Sequence, residues 1–137
     1  RKTIYDPPAS RRAHRRPARH GSLNMKIIKE KIEIAELKEM AKRMYENLVK
    51  AVVDIEKEII AVDAEMHVDL EQLLIEKENS EPKNLWGINM WPEKSGDSFI
   101  EFDSMINLKP GLGNRSRGVD NTETRGKIVK IVNKLVK

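Results

Sequence analysis

The stretch VKAVVDIEKEIIAVDAEMHVD, residues 49–69, decides the fold. From Val49 to Ile55 an apolar residue occupies every second position, which is the period of a β-strand with one buried face. The charged run EKE at 56–58 interrupts this pattern, and the alternation resumes from Ile60. Two alternating segments joined by a short polar connection predict a β-hairpin, although the connection lacks the Asn-Gly or Gly-Gly pair of the most favourable turns.

The segments on either side of this hairpin add a strand and two helices. The short β-branched segment at 26–32 predicts a first strand. Apolar residues spaced three and four apart from Ile34 to Leu48 predict an amphipathic helix of about 15 residues. After the hairpin, a short helix is expected over residues 69–77.

The C-terminal third completes the predicted fold. NLWGINMW (84–91) and SFIEFDSMINL (98–108) predict two antiparallel strands, and a last helix follows with Asp120 as its expected N-cap. This order of elements indicates an α+β fold. We expect an antiparallel or mixed sheet of about five strands, with two longer helices and one short helix packed on one face.

The charge of the chain is divided unevenly between an N-terminal tail and the rest. Residues 1–24 contain seven Lys or Arg against one acidic residue, whereas residues 25–137 contain 19 basic and 21 acidic residues. We predict that the first segment is a disordered basic tail, not native to the domain, and that the second is a single α+β domain. Two other interpretations of the tail are a basic arm that binds RNA or an acidic partner, and a transit peptide.

The composition excludes several classes of protein. Because the chain has no cysteine, it has neither disulfides nor thiol catalysis, and we expect a cytoplasmic protein. No apolar run reaches the roughly 18 residues of a membrane helix, so no membrane association is expected. The sequence also lacks the GxSxG elbow of serine hydrolases and the spacing of zinc fingers.

Three motifs are specific as a set: NLWGINMWP, FIEFDSMINLKP and GNRSRGV. Through them, the region from Met25 to Lys137 resembles a family of small prokaryotic proteins catalogued only as a domain of unknown function. The resemblance implies no activity and no catalytic residues. The chemistry therefore has to be argued from the residues themselves.

The loop GLGNRSRGVDNTE, residues 111–123, suggests an anion-binding site. Glycines permit close approach of the backbone, and successive loop amides and a helix N-terminus attract anions. The predicted ligand-binding residues of this loop are Asn114, Arg115, Ser116 and Arg117. Alternatively, the arginines pair with the protein's own carboxylates, of which residues 25–137 have a surplus. Asp120 and Glu123 also lie where the last helix is expected to begin, and there they would repel a bound anion.

A second candidate site lies in the return strand of the hairpin. Its polar face would carry a row of four residues, Asp63, Glu65, His67 and Asp69. Carboxylates and a histidine on one face suit a divalent metal ion such as Mg²⁺, Mn²⁺ or Zn²⁺, and a histidine beside an acid is a credible general base. A solvated outer face of the sheet produces the same alternation.

The last two predicted strands carry a further set of polar residues. Asn89 on one strand is expected near Asp103 or Asn107 on the other. Gly87 leaves room for a ligand or another backbone. With the arginine loop, these side chains would form either a ligand pocket or a buried hydrogen-bond network that fixes the loop.

Three functions are consistent with these patterns. The best prediction is a small binding module that recognises an anionic or phosphate-bearing ligand, a nucleotide or RNA, through the GNRSRGV loop. The first alternative is a protein–protein interaction or structural module, self-association included. The second is a divalent-metal-dependent hydrolase or nuclease that uses Asp63, Glu65, His67 and Asp103.

Overall fold

The computed structural model describes residues 24–137, which form a five-stranded sheet and three α-helices. The strands are β1 (Lys26–Ile28), β2 (Val49–Asp54), β3 (Ile59–Val62), β4 (Leu85–Met90) and β5 (Ile100–Glu101). The helices are α1 (Ile34–Met44), α2 (His67–Glu78) and α3 (Thr122–Leu135). The order across the sheet is β1–β3–β2–β4–β5 and every pairing is antiparallel, which confirms the predicted α+β fold. Apart from Asn24, the predicted basic tail lies outside the described residues.

The β2–β3 hairpin forms as predicted, and a buried aspartate organises its turn. Asp54 is 1% exposed, and its Oδ1 accepts hydrogen bonds from the backbone N–H groups of Glu56 (2.9 Å) and Lys57 (3.0 Å). Its Oδ2 accepts a hydrogen bond from the Ser80 hydroxyl at 2.6 Å. An aspartate side chain can satisfy turn N–H groups in this way, so the hairpin closes without an Asn-Gly or Gly-Gly pair.

The helices divide between the two faces of the sheet, which corrects the expectation that all would pack on one face. α1 and α3 pack against the face that contains Ala51, Val53 and Ile88. α2 packs against Val52 and Leu85 on the opposite face. The reason lies in β2, the central strand, where five of the six residues are buried. A strand whose side chains are buried on both faces needs cover on both.

The predicted strand over residues 98–108 is mostly wrong. Only Ile100–Glu101 pairs with β4, and Met105–Asn107 forms a 3-10 turn instead. The side chain of Asn107 replaces the missing strand, because its Oδ1 accepts the Gly87 N–H (2.8 Å) and its Nδ2 donates to the Gly87 carbonyl (3.0 Å). One side-chain amide thus satisfies both backbone groups of a β4 residue.

The last helix begins one residue later than expected. α3 starts at Thr122, and its N-cap is Asn121 rather than the predicted Asp120. The Asn121 Oδ1 accepts the backbone N–H of Thr124 at 2.9 Å. Asp120 cannot serve as the cap because its carboxylate accepts hydrogen bonds from Ser116 and Arg115 in the preceding loop.

The other helices are short. α1 ends at Met44 rather than Leu48, because Glu46 adopts φ 70°, outside the helical region. α2 spans His67–Glu78, close to the helix expected at 69–77. No helix within residues 24–137 is long and apolar enough to cross a membrane.

Candidate functional site

A cluster of polar side chains lies on the α2 face of the sheet. Lys50, Asn89 and Glu101 are direct cross-strand partners on β2, β4 and β5, so they project from one face. It is the α2 face, because Val52, two residues further along β2, packs against α2. Asp103 and Arg117 lie close enough for their charges to affect the pKa of Lys50 and of His67, and Lys50 affects the pKa of His67. We call this set the Lys50 cluster: Lys50, His67, Asn89, Glu101, Asp103 and Arg117.

The Glu101 carboxylate is held by its neighbours. Its Oε1 accepts hydrogen bonds from the Asn89 Nδ2 at 3.0 Å and from the Trp91 indole N–H at 3.2 Å. Asn89 was predicted to lie near Asp103 or Asn107, but the strand register places it opposite Glu101. Asn89 is 5% exposed, and its Oδ1 has no hydrogen-bond partner within residues 24–137. The cluster therefore contains one buried acceptor that the described chain leaves unpaired.

His67 is a buried, neutral member of the cluster. It is the first residue of α2, is 8% exposed, and has its Nε2 2.7 Å from the carbonyl oxygen of Ile88. Because a carbonyl only accepts, Nε2 must carry a proton. Burial lowers the pKa of His67 from 6.5 to about 4, although its hydrogen bond to Ile88 works in the opposite direction. The imidazole is therefore uncharged near neutral pH.

Gly87 permits the close packing beneath this histidine. A Cβ atom at this position would lie 2.5 Å from the Cβ and Oγ of Ser104 and 3.2 Å from the Cδ2 of His67. The space that the sequence suggested for a ligand is thus occupied by two side chains of the protein. The glycine is required by the fold at this point.

Lys50 belongs to the cluster but forms no ion pair with any of its members. Its side chain is half-buried, and within residues 24–137 its ammonium makes neither an ion pair nor a hydrogen bond. It makes a cation–π contact with the ring of Tyr45, whose centroid lies 5.2 Å from Nζ. Burial lowers the pKa of Lys50; the carboxylates of Asp103 and Glu101 oppose this effect, whereas Arg117 adds to it.

The arginine loop, residues 113–119, is tied down by carboxylates. The Nε of Arg117 donates to the Asp103 Oδ1 at 2.6 Å. Asp120 receives the Ser116 hydroxyl at 2.6 Å and the Arg115 backbone N–H at 3.1 Å, so its carboxylate takes the position that a bound anion would take. These hydrogen bonds, that of Ser116 foremost, lower the pKa of Asp120. The Arg115 side chain is exposed and makes no contact of this kind within the described chain.

Two buried asparagines complete the loop. Asn107, fully buried, bonds Gly87 as described above and also donates to the Arg117 carbonyl at 2.8 Å. Asn114 is 4% exposed and donates its Nδ2 to the carbonyls of Asn107 (2.8 Å) and Gly118 (2.9 Å). Its Oδ1 accepts the backbone N–H of Asp120 at 2.7 Å. The sequence allowed either a ligand pocket or a buried hydrogen-bond network here. The structure contains the network, in which the side-chain amides of Asn107 and Asn114 both bond groups of the protein itself.

The predicted metal row does not form. Its four residues are Asp63, Glu65, His67 and Asp69. β3 ends at Val62, Asp63 adopts φ 77°, and the chain enters α2 at His67, so the alternation of a strand does not extend over the row. Asp63 instead pairs with Arg43 at 2.7 Å. Among the described residues, no group of three or more histidine or acidic side chains is placed to hold a metal ion.

Two residues of the cluster were missed as site candidates, Lys50 and Glu101. A signal for Lys50 was present in the sequence, because it is the one basic residue in VKAVVD, a strand whose other side chains are mostly apolar. Glu101 also follows apolar residues, in FIEFD, but that pattern does not identify its partner. Its position depends on the β4–β5 register, which no local pattern determines.

The fold and the cluster define a small α+β protein with a charged, half-buried site at one end of its sheet. Residues 26–135 match the family described as "Protein of unknown function (DUF5674)", and the chain belongs to that family. This confirms the expected membership of a family catalogued as a domain of unknown function. No curated protein and no solved structure gives a significant match.

Proposed function

We propose that this protein is a binding module for an anionic ligand, which Lys50 binds with the help of the arginine loop. The observation that carries the proposal is the unpaired ammonium of Lys50. Removing a charged group from water is costly unless it gains a partner. A bound anion would supply that partner, since no group within residues 24–137 makes an ion pair with this lysine.

The neighbouring carboxylates are engaged elsewhere. Glu101 accepts hydrogen bonds from Asn89 and Trp91, and Asp103 accepts one from Arg117. These contacts hold the acids near Lys50 without neutralising it directly. The cluster therefore surrounds a half-buried cation that forms no ion pair within residues 24–137, an arrangement that supports a ligand site over a purely structural role.

The arginine loop contributes one further cation beside Lys50, Arg117, and it carries a second, exposed cation, Arg115. The guanidinium of Arg117 has five N–H donors, and its bond to Asp103 uses the one on Nε. Arg115 is exposed and unpaired within the described chain. Asn114 and Ser116, also predicted as ligand contacts, act in this proposal by fixing the loop that carries the arginines.

A phosphate-bearing ligand, a nucleotide or RNA, fits this site better than a simple anion. Tyr45 lies beside Lys50 and is 41% exposed, so its ring offers a stacking surface for a base next to the cation. Arginine guanidinium groups suit phosphate oxygens by geometry as well as by charge. The metal-dependent hydrolase loses its geometric support, because its carboxylates do not converge.

Calorimetric titration of the full chain with inorganic phosphate, ADP and a short single-stranded RNA tests this proposal. We expect binding of ADP or RNA that weakens with added salt and falls by about tenfold or more in Lys50→Met, equivalent to about 1.4 kcal/mol. Lys57→Met is the matched control, because Lys57 is exposed in the hairpin turn. Absence of binding by all three probes, or equal binding by both variants, would contradict the proposal.

A further inference from the structure

Asn89 lies in the middle of a row of three side chains that crosses the sheet. Its cross-strand partners are Lys50 on β2 and Glu101 on β5. Because Asn107 bonds both the N–H and the carbonyl of Gly87, these backbone groups point away from β2. Asn89, two residues further along β4, has the same orientation, so Lys50 and Asn89 form a non-hydrogen-bonded pair. The side chains of such a pair lie close together, with Cβ atoms about 4.5–5.5 Å apart.

The oxygen of the Asn89 side chain is a buried acceptor with a fixed orientation. The Asn89 Nδ2 donates to the Glu101 Oε1 at 3.0 Å, and this bond turns Oδ1 away from the Glu101 carboxylate. The residue is 5% exposed, and no donor among residues 24–137 bonds Oδ1. A buried acceptor without a donor is unfavourable, so a ligand that supplies the donor gains affinity from this contact.

Two unsatisfied groups of opposite kind are therefore neighbours. The Lys50 ammonium has only donors and makes no hydrogen bond within the described chain, whereas the Asn89 Oδ1 can only accept. A ligand that satisfies both must carry an anionic oxygen and, within about 5 Å of it, an O–H or N–H group. Solvent reaches the row on both sides of Asn89, because Lys50 is half-buried and Glu101 is exposed.

An RNA strand carries these two groups side by side. The ribose 2′-hydroxyl is a hydrogen-bond donor, and it is attached to the carbon next to the one that bears the 3′-phosphate. DNA has the phosphate but lacks the hydroxyl. In a 5′-nucleotide such as ADP, the phosphates are attached at the far end of the sugar from the 2′-hydroxyl. The spacing of the row therefore favours an RNA strand over DNA and over a free 5′-nucleotide.

We propose that Asn89 is a specificity-determining residue that selects RNA over DNA. Lys50 binds a backbone phosphate, and the Asn89 Oδ1 accepts a hydrogen bond from the adjacent 2′-hydroxyl. The inference rests on the function proposed above, since it assigns the anion of the Lys50 cluster to the RNA backbone. Glu101 is a positioning residue, because its bond to Nδ2 keeps the oxygen of the amide free for the hydroxyl.

Fluorescence anisotropy of the full chain with two labelled oligonucleotides tests the proposal. Hexa-riboadenylate and hexa-deoxyriboadenylate have the same bases and charge and differ only at the 2′ position. We expect the wild type to bind the RNA about fivefold or more tightly than the DNA. Asn89→Leu, which lacks the oxygen, should bind both with the affinity of the wild type for DNA. Trp91→Phe is the matched control, because it also removes one hydrogen bond to Glu101 but should keep the preference for RNA.

A change in the RNA makes the same test on the unaltered protein. The 2′-fluoro oligonucleotide lacks the donor, so the wild type should bind it about as weakly as DNA. Equal affinity for RNA and DNA, a preference that persists in a folded Asn89→Leu, or full affinity for the 2′-fluoro strand would overturn the inference. If phosphate or ADP binds through Lys50 but neither hexanucleotide does, this inference fails alone. If none of these probes binds, the proposed function fails with it.

Discussion

The arginine loop and the Lys50 cluster lie side by side, yet they use polar side chains in opposite ways. In and beside the loop, Asn107, Asn114 and Asp120 satisfy backbone groups and Ser116, so a motif that resembles an anion cradle is largely held by internal hydrogen bonds. In the cluster, Lys50 forms no ion pair or hydrogen bond within the described chain, and the Asn89 Oδ1 has no hydrogen-bond partner there. The difference is the reason why we propose the ligand site at the cluster, where polar groups lack partners, rather than in the loop, where they have them.

The largest effect is expected when the loop network is broken. Asn107→Leu removes hydrogen bonds to both backbone groups of Gly87 and to the Arg117 carbonyl, all in a buried region. Unpaired buried polar groups cost about 1–3 kcal/mol each, so we expect the free energy of unfolding to fall by about 3 kcal/mol or more. Urea denaturation measures the loss. Asn133→Leu, at an exposed position of α3, is the control and should change stability by less than about 0.5 kcal/mol.

Acidification should destabilise the protein through His67. Its pKa is about 4 when folded and 6.5 in the reference state, so the unfolded chain binds the proton more tightly. The contribution of His67 to stability is therefore complete above pH 6.5 and declines as the pH falls towards 4, by at most about 3 kcal/mol. Unfolding measured across this range in wild type and His67→Gln should diverge. Parallel curves would show that His67 does not titrate in this way.

Substitutions at two glycines, one tightly packed and one in open space, test the packing of the fold. Gly87→Ala should destabilise the protein by about 2 kcal/mol, because the new Cβ overlaps Ser104. Adding Ser104→Gly to the Gly87→Ala variant should restore part of the lost stability. Gly126→Ala, in α3 with nothing within 4 Å, should instead stabilise by up to about 1 kcal/mol. Thermal unfolding of these variants contradicts the packing described here if Gly87→Ala is neutral.

The smallest effect concerns the cluster itself. Lys50→Met keeps the aliphatic stem and removes the unpaired charge, so we expect the free energy of unfolding to rise by up to about 1 kcal/mol while binding is lost. Denaturant unfolding of Lys50→Met and Lys57→Met provides the comparison. A marked destabilisation by Lys50→Met would indicate a structural role for the ammonium and argue against a ligand site.

The sequence predicted most of the architecture because periodicity is a local signal. The alternation from Val49 to Ile55 and the helical spacing after Ile34 each required only neighbouring residues. The errors came from tertiary contacts that no local pattern contains. The Asn107 side chain makes the hydrogen bonds to Gly87 that a paired strand was expected to make. The burial of β2 on both faces places α2 on the opposite face from the other helices.

The site was harder to predict for the same reason. The residues of the arginine loop were identified, but their carboxylate partners Asp103 and Asp120 could not be assigned without the fold. The predicted row of metal ligands does not form, because the chain leaves β3 at Asp63, which has a positive φ. Lys50 was visible as the one basic residue of a largely apolar strand, but its lack of an ion pair can be seen only once its neighbours are in place.

The most direct test of the account is the titration of Lys50 itself. In the full chain with ¹³C-labelled dimethyl-lysines, the resonance lost in Lys50→Met is assigned to Lys50 and followed against pH, with and without ADP or short RNA. If Lys50 binds the anion, its pKa lies below the ordinary lysine value of 10.5 in the protein alone and rises when the ligand binds. A Lys50 that titrates with the exposed lysines and does not respond to either probe would contradict the central claim.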